Sequence, residues 1–594
     1  MKERVFYLDA EEARKYFLKS ESYFTMPMPK YYDFGVLLKK VARGMEGRQL
    51  EEFCVKDTRE CEGVNYELAY SKDGGYGRRV FQLIHPVLYV ELVNYLTKEA
   101  SWERIKTRLR IYRKRNIVTS VSTIPWAMAD DKETPAAILK WWHGMEQESI
   151  RLAMFFNYMA ETDIMECYDS IGKRMVRRAL GDIVGDRVWH LTEMMAGERL
   201  NGIPQGSMVY DFVAEVVLSY VDVLISNRLR AAGLKIGYTI LRYRDDYRVF
   251  AKDIATVRKI LAVMDEVMVE CGMRLNPKKT VIHDDIIAAA RKKDKDYWDI
   301  RRGLMRLGEY CLDNGSMRGD CGGGQEVGCE VYSDTDKQVS RRRPEVSIQK
   351  WLLEIWRMSR EHPNTGSVQR ALVELYEKRI ILLEHRPGDA YQIMSIVIDI
   401  MAHSPRTYQV GVAILCKIMT FNPGMSRRRL ADLVLDKVQM TPSVDYLKIW
   451  LQRLTYRNRP SKRYECRICD IAYDPSIRLW NSEWLNFNVR DQLVFRWDVA
   501  RQMDFVMPVE EVHAFDGYDA EDEGDSCEDD DCDSDDCEDG SCGDGIYEDG
   551  SCGDGSCGGG ACGDGTCGDG DCWSGDVYGD GVCGEDLWEC MIMR

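Results

Sequence analysis

The sequence predicts an α+β fold in which a small β-sheet lies among helices and is followed by an all-α region and a low-complexity tail. The stretch 241–250, LRYRDDYRVF, combines aromatic and β-branched residues, which favour strand over helix. Beyond residue 345, apolar residues recur with helical spacing in segments such as WLLEIWRM and IMSIVIDIM. From Cys527 onward, cysteine recurs at five-residue intervals among Gly and Asp, which is typical of low-complexity sequence.

The N-terminal part contains a predicted β-hairpin that carries three cations. Its Met-Pro-Met-Pro stretch at 26–29 cannot be helical, whereas the stretch 65–96 predicts a strand, an Asp-Gly-Gly turn, a second strand and a helix after Pro86. Lys72, Arg78 and Arg79 therefore cluster on one hairpin. They are either ordinary surface charge or a grip on a triphosphate, for which arginine supplies a planar fork of donors.

The middle of the chain alternates helical and strand patterns. Residues 131–158 have helical spacing, and the run after them places Asp163 at the end of a predicted strand, where an Asp is usually a cap or a turn former. The loop 201–206 precedes a long, apolar helix pattern. We expect the acidic residues within that helix to pair internally and assign them no chemistry; they are Asp211, Glu215 and Asp222.

Two adjacent carboxylates, Asp245 and Asp246, are predicted to lie at the tight turn of a hairpin. Like charges repel unless a cation lies between them, so an Asp-Asp pair held on a hairpin indicates a Mg²⁺ site. A solvated acidic turn is the simpler interpretation of this dipeptide taken alone.

The predicted organisation has five segments. Residues 299–344 are rich in Gly, Asp, Arg and Ser and are predicted to be a linker or insertion. The segments are 1–130, 131–298, the linker 299–344, a helical domain at 345–513 and the acidic tail at 514–594.

Charge and cysteine are distributed unevenly. The net charge is −17, but residues 516–594 contain 27 acidic residues and one basic residue, which leaves +9 for the preceding 515. A basic body fits a polyanionic partner. Cys466 and Cys469 form a lone CxxC, and reduced thiols are the expected state. Without a long apolar run or an apolar N-terminal leader, we expect a cytoplasmic protein with no membrane contact.

The order of these motifs resembles the fingers and palm of reverse transcriptases. It is most similar to the bacterial defence-associated branch related to abortive-infection reverse transcriptases. The segments that carry the resemblance span about 15–500 and are KSESYF, MPKYYDF, RVFQLIHPVLY, EQESI, TDIMECYDSI, NGIPQGSMVYDFVAE, LRYRDDYRVF, HPNTGS and KIWLQR.

The resemblance implies a right-hand polymerase that transfers nucleotides with two Mg²⁺ ions, or Mn²⁺ in their place. It assigns Asp163 and Asp245 as the principal metal ligands, Asp246 as the second carboxylate of the hairpin, and the Ile164 carbonyl as a further oxygen. Lys279 is implied as a general acid for pyrophosphate release, with Lys278 as its competitor.

The resemblance also implies the residues that bind the incoming nucleotide. Arg79, with Arg78 and Lys72, matches the fingers residues that hold the triphosphate. Gln205 and Gly206 match the loop that approaches the nucleotide, and an aromatic residue at the position of Tyr168 implies a preference for dNTPs. The sequence departs from the usual reverse-transcriptase pattern at Arg244, which with Arg242 and Arg248 makes the hairpin basic. We expect these arginines either to contact primer or template phosphates or to be a feature of the branch.

The implied function is that of an antiviral, RNA-directed DNA polymerase that uses a partner noncoding RNA as template or scaffold and dNTPs as substrates, and releases a DNA product. A homo-oligomer and an accessory defence protein are further partners to expect. Two alternatives stay open. One is untemplated or protein-primed synthesis of homopolymer or simple-repeat DNA, and the other is a non-catalytic RNA-binding scaffold.

The tail composition predicts disorder, because it has few large apolar residues before Trp573. A narrow coil of stacked cysteines and a thiolate-rich metal or redox segment are the alternatives.

Overall fold

A computed structural model describes residues 8–71, 77–115, 118–120, 144–196, 202–313, 346–421, 427–438, 445–456, 464–474, 476–486 and 489–512. The chain divides into two units, Met1–Ala520 and Glu521–Arg594. The second unit, and with it the predictions for the tail, lies outside the described residues. The first unit combines many helices with two small sheets, so the predicted mixture of α and β structure is confirmed.

The strands are β1 (Tyr66–Ser71), β2 (Arg78–Leu83), β3 (Val118–Ser120), β4 (Tyr158–Asp163), β5 (Tyr238–Tyr243), β6 (Asp246–Ala251) and β7 (Val281–His283). The helices of the first half are α1 (Ala10–Phe17), α2 (Ser20–Tyr23), α3 (Gly35–Gly44), α4 (Pro86–Leu96), α5 (Glu99–Arg115), α6 (144–152), α7 (Cys167–Ser170), α8 (Lys173–Val184), α9 (Arg187–Ala196), α10 (Met208–Ala231) and α11 (Ile254–Cys271). The later helices are α12 (Ile286–Ala290), α13 (Lys293–Asp313), α14 (Ile348–Glu361), α15 (Gly366–Leu375), α16 (Ala390–His403), α17 (Tyr408–Met419), α18 (Arg427–Val438), α19 (Asp445–Thr455), α20 (Arg467–Asp470), α21 (Trp497–Gln502) and α22 (Val509–Val512).

The larger sheet has five strands in the order β3-β5-β6-β4-β7. Strands β5 and β6 form the predicted hairpin, and only Arg244 and Asp245 lie between them. Strand β4 runs antiparallel to β6, with Asp163 directly opposite Asp246. The predictions that Asp163 ends a strand and that the Asp-Asp pair lies at a hairpin turn are therefore confirmed.

The long helix α10 packs against α5, α8 and α11. Much of its buried surface is apolar, and Val209, Phe212, Val216 and Val221 are all fully buried. Because α10 starts directly after the loop 202–206 and leads back to β5, it fixes that loop relative to the hairpin.

The smaller sheet is the β1–β2 hairpin, paired from Tyr66 opposite Leu83 to Ser71 opposite Arg78. Both strands agree with the prediction, and α4 starts at Pro86 as expected for proline in the first helical turn. The predicted turn lies outside the described residues.

The C-terminal helices share one hydrophobic core with the N-terminal part. The Tyr32 hydroxyl donates to Gln452 Oε1 at 2.7 Å, and Trp480 Nε1 donates to the Leu83 carbonyl at 2.9 Å. The predicted boundary at residue 345 therefore does not separate two cores. The predicted linker or insertion at 299–344 begins within α13, which continues to Asp313; residues 314–344 lie outside the described part.

None of the helices in the described part is both long enough and apolar enough to cross a lipid bilayer.

The buried His85 links the β1–β2 hairpin to the C-terminal region. Its burial leads us to expect that the stability of the protein depends on pH. Its Nδ1 accepts from the Val87 backbone N–H at 3.3 Å, its Nε2 lies 3.0 Å from Ser482 Oγ, and burial lowers its pKa to about 3. Since an unfolded histidine titrates near pH 6.5, the unfolded state binds the proton more tightly, and the free energy of unfolding falls as the pH drops below about 6.5.

We expect His85 to contribute a slope of about 1.4 kcal/mol per pH unit in that range, or about 2 kcal/mol between pH 6.5 and pH 5. Urea unfolding at both pH values, for the native protein and for His85→Gln, isolates this contribution as a difference between two slopes. Equal slopes in the two proteins would contradict it.

Candidate active site

Three carboxylates from two strands meet at one end of the larger sheet. Asp163 ends β4 opposite Asp246, the first residue of β6, and Asp245 lies in the adjoining turn. The Ile164 N–H donates to the Asp245 carbonyl at 3.1 Å, which holds the end of β4 against the turn. Strand pairing therefore brings together side chains that are separated by about eighty residues of sequence.

The hairpin carboxylates are held close together in a largely buried setting. Burial raises the pKa of Asp245. Burial, followed by the neighbouring charge of Asp245, raises the pKa of Asp246 to about 7. The neighbouring charge of Asp163 also raises the pKa of both carboxyl groups. Repulsion of this kind is relieved when a cation lies between the carboxylates.

Lys279 supplies one such cation. Its Nζ lies 2.5 Å from Asp163 Oδ2. Although partial burial favours the neutral amine, the hydrogen bond to Asp163 and the charges of the three carboxylates raise the pKa of Lys279. Lys278, its predicted competitor, is exposed, and its backbone N–H donates to Asn276 Oδ1 at 3.2 Å.

The donor set at this end of the sheet fits a divalent cation with a preference for oxygen ligands, such as Mg²⁺. Asp163 Oδ1 is buried and has no hydrogen-bond partner, so one oxygen is available for coordination. Among the described residues, no group of three His, Cys, Asp or Glu side chains is arranged as a preformed metal site. In this structure the Lys279 ammonium group holds the other oxygen of Asp163.

Tyr168 lies beside this cluster at the start of α7, and its hydroxyl donates to Asp211 Oδ1 at 2.5 Å. Burial and the charge of Asp211 raise the pKa of Tyr168 well above its usual value. The other oxygen of Asp211 lies 3.3 Å from Arg244 Nη2. A single carboxylate on α10 thus fixes both the tyrosine and the first residue of the hairpin turn.

Arg244 has a positive φ of 51°, a left-handed conformation that costs a non-glycine residue on the order of 1 kcal/mol. Its carbonyl accepts from Arg242 Nη1 at 3.1 Å, and its side chain pairs with Asp211. These contacts hold the unusual residue of the turn in place. The exposed third of its side chain leaves Arg244 accessible beside the carboxylates.

The other two arginines of the hairpin do not face solvent. Arg242 is fully buried, with Nε donating to Asp222 Oδ2 at 2.7 Å and two nitrogens donating to Glu215 at 3.0 Å each. Arg248 is 8% exposed and contacts Ser149 Oγ at 2.8 Å and Glu161 at 3.0 Å. The prediction that they contact primer or template phosphates is therefore wrong, because burial and internal carboxylates already satisfy both.

The internal pairing predicted for the acidic residues of α10 is confirmed. Glu215 and Asp222 hold Arg242, and Asp211 contacts Tyr168 and Arg244.

The loop 202–206 joins Tyr168 to the β1–β2 hairpin. The Ile203 N–H donates to the Tyr168 carbonyl at 3.0 Å, and the Gln82 N–H donates to the Gln205 carbonyl at 2.8 Å. Gly206 has a φ of 118°, and an added Cβ would lie 3.2 Å from the Phe81 ring. The structure thus places Gln205 and Gly206 between β2 and α10, on the same side as Tyr168.

Only some of the residues predicted to bind the triphosphate lie in the described part of the chain. Arg79 is exposed on β2 and pairs with Tyr70 across the hairpin. Arg78 begins β2 opposite Ser71, and Lys72 lies outside the described residues.

Sequence reasoning assigned no role at the site to three residues that shape it. Asp211 connects Tyr168 and Arg244, and the Asn276 N–H donates to the Asp163 carbonyl at 2.8 Å. At Gly202 an added Cβ would lie 2.1 Å from the Tyr168 carbonyl oxygen. The available signal was position: Asp211 lies in the first turn of the helix that leaves the loop, and Asn276 opens the turn that delivers Lys279.

No protein-family model matches the sequence, and no curated protein matches it. Among solved structures, apo telomerase from Candida tropicalis truncated from its C-terminal domain is similar at 13% identity and a TM-score of 0.27, over 39% of this chain and 51% of that chain. The chain thus spans about half of that protein's length. Telomerase from Candida albicans in complex with a TWJ fragment of telomeric RNA has 10% identity and a TM-score of 0.28, over 70% of each chain. TM-scores this low do not establish a shared fold.

Proposed function

We propose that this chain is an RNA-directed DNA polymerase that adds dNTPs to a 3′-hydroxyl. The observation that carries the proposal is the convergence of Asp163 from β4 with Asp245 and Asp246 of the β5–β6 hairpin. Nucleotidyl transfer needs carboxylates from separate strands at one point, because two divalent ions must be held a few ångströms apart. The fold around them then corresponds to a polymerase palm, with β1–β2 in the fingers.

The chain's own residues have separate tasks in this proposal. Asp163, Asp245 and Asp246, with the Ile164 carbonyl, would hold two Mg²⁺ ions, which supply charge neutralisation at the transferring phosphate when bound. Lys279 holds a proton 2.5 Å from Asp163 and can donate it to a leaving pyrophosphate. Arg79 on β2, with Arg78 and Lys72, would bind the triphosphate, and Gln205 and Gly206 border the nucleotide.

The proposed setting follows from the sequence resemblance alone. It is a cytoplasmic antiviral protein that works on a partner noncoding RNA, with a homo-oligomer or an accessory defence protein as further partners.

The testing experiment supplies the purified chain with Mg²⁺, an RNA template, a DNA primer and the labelled dNTPs, singly and together, and sequences the product. DNA complementary to the RNA is the expected result. Homopolymer or simple-repeat DNA, or DNA attached covalently to the protein, would replace templated synthesis with untemplated or protein-primed synthesis. Absence of incorporation with either Mg²⁺ or Mn²⁺ would overturn the polymerase assignment.

The position of Tyr168 predicts that the polymerase prefers deoxynucleotides to ribonucleotides. Its ring is fixed by the hydroxyl contact with Asp211 and by the loop beneath it, so it can exclude a ribose 2′-hydroxyl by contact. We expect Tyr168→Ala to raise the kcat/KM for an rNTP relative to that for the matching dNTP about 10-fold or more, equivalent to about 1.4 kcal/mol.

Tyr168→Phe is the matched control, because it keeps the ring and removes only the hydroxyl. It should preserve the preference for dNTPs. An equal loss of preference in both variants would show that the ring itself does not discriminate.

A further inference from the structure

Helix α5 has an unusual charge distribution that the proposed active site does not use. Its residues 104–115 include seven cations and no acidic residue. The buried stripe of the helix consists of Trp102, Ile105, Leu109 and Tyr112. Because this stripe faces the core, most of the cations are directed to solvent.

Within the described part of the chain, three of these side chains have no partner. Lys106 is buried, and its Nζ donates to the Leu8 carbonyl and forms an ion pair with Glu103. By contrast, Arg104, Lys114 and Arg115 are exposed, and none of their side chains forms an ion pair or hydrogen bond within the described part of the chain.

The neighbouring helix α8 packs against α5, since the Tyr112 hydroxyl of α5 donates to the Ala179 carbonyl of α8 at 3.2 Å. The exposed Arg178 of α8 lies near Cys271 of α11, on another side of that helix. We call Arg104, Lys114 and Arg115 the α5 basic face.

Four described carboxylates on neighbouring segments pair with cations outside this face. Lys173 and Arg177 of α8 are paired with Glu193 and Asp186. On α11, Glu266 and Glu270 are paired with Arg228 of α10.

The C-terminal end of the α5 basic face, with Lys114 and Arg115, is distant from the three carboxylates. Helix α5 ends just before β3, where Val118 pairs with Ile240 in β5, and the Asp245 turn lies five residues farther along β5. At about 3.3 Å per residue this separation is roughly 17 Å along the strand. A partner bound at this end of the face is therefore not held by the three carboxylates.

The chemistry of the face selects a phosphate backbone. Arg104 and Arg115 are eleven positions apart, so the cations extend over about 17 Å of helix. Both aromatic residues of α5, Trp102 and Tyr112, are buried, and α8 contains none. Without an exposed ring to stack on bases, the surface offers only charge and guanidinium donors, which bind phosphates without reading sequence.

We propose that the α5 basic face binds the phosphate backbone of double-stranded RNA at a surface separate from the catalytic end of the sheet. The choice of RNA rests on the proposed function, in which RNA is the nucleic acid that the chain carries. The contact anchors a structured part of the RNA while another part reaches the active site.

The test measures binding of the full chain to a double-stranded RNA of mixed sequence as the KCl concentration is varied. The variant is Arg104→Gln combined with Lys114→Gln and Arg115→Gln. Loss of three phosphate contacts should weaken binding about 10- to 100-fold near 0.1 M salt and reduce the slope of log K against log salt by about 2 to 3.

The matched control is Lys56→Gln combined with Lys252→Gln and Lys350→Gln, which removes the same charge from three exposed lysines on separate segments. It should bind almost as the native protein does. Equal weakening by both triple variants would overturn the proposal, because net charge alone would then explain the effect. A loss of affinity confined to a DNA duplex of the same length would also overturn it.

A second variant separates binding from folding. Arg104→Lys combined with Arg115→Lys keeps the charges, so it should retain most of the affinity for RNA, and weakening as large as in the glutamine variant would contradict a phosphate contact. Incorporation of dNTPs on a short primer and template should persist in the glutamine variant. If the native protein and the glutamine variant both polymerise normally and bind RNA equally well, only the proposed RNA-binding face is disproved. If the native protein binds RNA through the face but never incorporates dNTPs, only the polymerase assignment is disproved.

Discussion

Asp245→Asn is expected to abolish nucleotide incorporation, with a fall in kcat/KM of about 10³-fold or more, equivalent to about 4 kcal/mol of transition-state stabilisation. Asparagine has almost the same shape, but it lacks the charge that binds a divalent ion. Asp245 is a cleaner target than Asp163, because replacing Asp163 would also release Lys279. The measurement is single-turnover incorporation of a labelled dNTP over a range of Mg²⁺ concentrations.

The same substitution should not destabilise the protein. Burial raises the pKa of Asp245, which shows that the charged carboxylate is disfavoured there, and its structural contact to the Ile164 N–H uses the backbone carbonyl rather than the side chain. We therefore expect an unchanged or slightly raised Tm. A large loss of activity without a loss of stability is the signature of a catalytic carboxylate.

Asp284→Asn is the matched control, since Asp284 is an exposed carboxylate directly after β7. It should keep nearly full activity. If Asp245→Asn remained as active as Asp284→Asn at every Mg²⁺ concentration, the hairpin carboxylates would not be metal ligands and the proposed mechanism would be wrong.

The local geometry of this site could be predicted because it is encoded locally. Residues 241–250 contain β-branched and aromatic side chains on both sides of a polar pair, so strand, turn and strand follow from neighbours in sequence. The end of β4 at Asp163 and the start of α10 beyond the loop 202–206 were predicted from similarly short patterns. Register between β4 and β6 could not be predicted, because it depends on which faces of both strands are buried.

The role of the hairpin arginines could not be predicted from the sequence. Arg242, Arg244 and Arg248 alternate with apolar residues along one short stretch, so nothing local distinguishes an exposed arginine from a buried one. The partners of Arg242 lie 27 and 20 residues earlier, on α10. Only the packing of α10 against the sheet shows that Arg242, which was expected to contact phosphate, instead forms an internal ion pair.

The shared core of the N-terminal and C-terminal regions was missed for a related reason. Helical spacing in 345–456 shows which face of each helix is apolar but does not show what covers it. Here part of the cover comes from the N-terminal region, where Tyr32 contacts Gln452 and the Tyr446 hydroxyl donates to the Pro27 carbonyl at 2.5 Å. Composition therefore indicated a separate domain where tertiary packing forms one core.

Arg242→Met is expected to lower the free energy of unfolding by about 3–5 kcal/mol. Arg242 is fully buried with Glu215 and Asp222, and Asp222 also accepts from the Tyr247 hydroxyl at 3.0 Å. Although burial favours its neutral form, the charges of Asp222 and Glu215 raise the pKa of Arg242 well above its usual value. Removing it leaves two carboxylates in the core without a counter-charge, and unfolding in urea measures the cost.

A neutral version of the same cluster tests whether the loss comes from the unpaired charges or from the missing volume. Arg242→Met combined with Glu215→Gln and Asp222→Asn removes all three charges at similar size, so it should recover most of the stability, to within about 1–2 kcal/mol of the native protein. If the triple variant were as unstable as Arg242→Met, packing rather than charge would be the cause. Because Arg242 also donates to the Arg244 carbonyl, the recovered protein should still hold the hairpin turn less firmly, which is measurable as reduced incorporation of dNTPs although most of the stability is recovered.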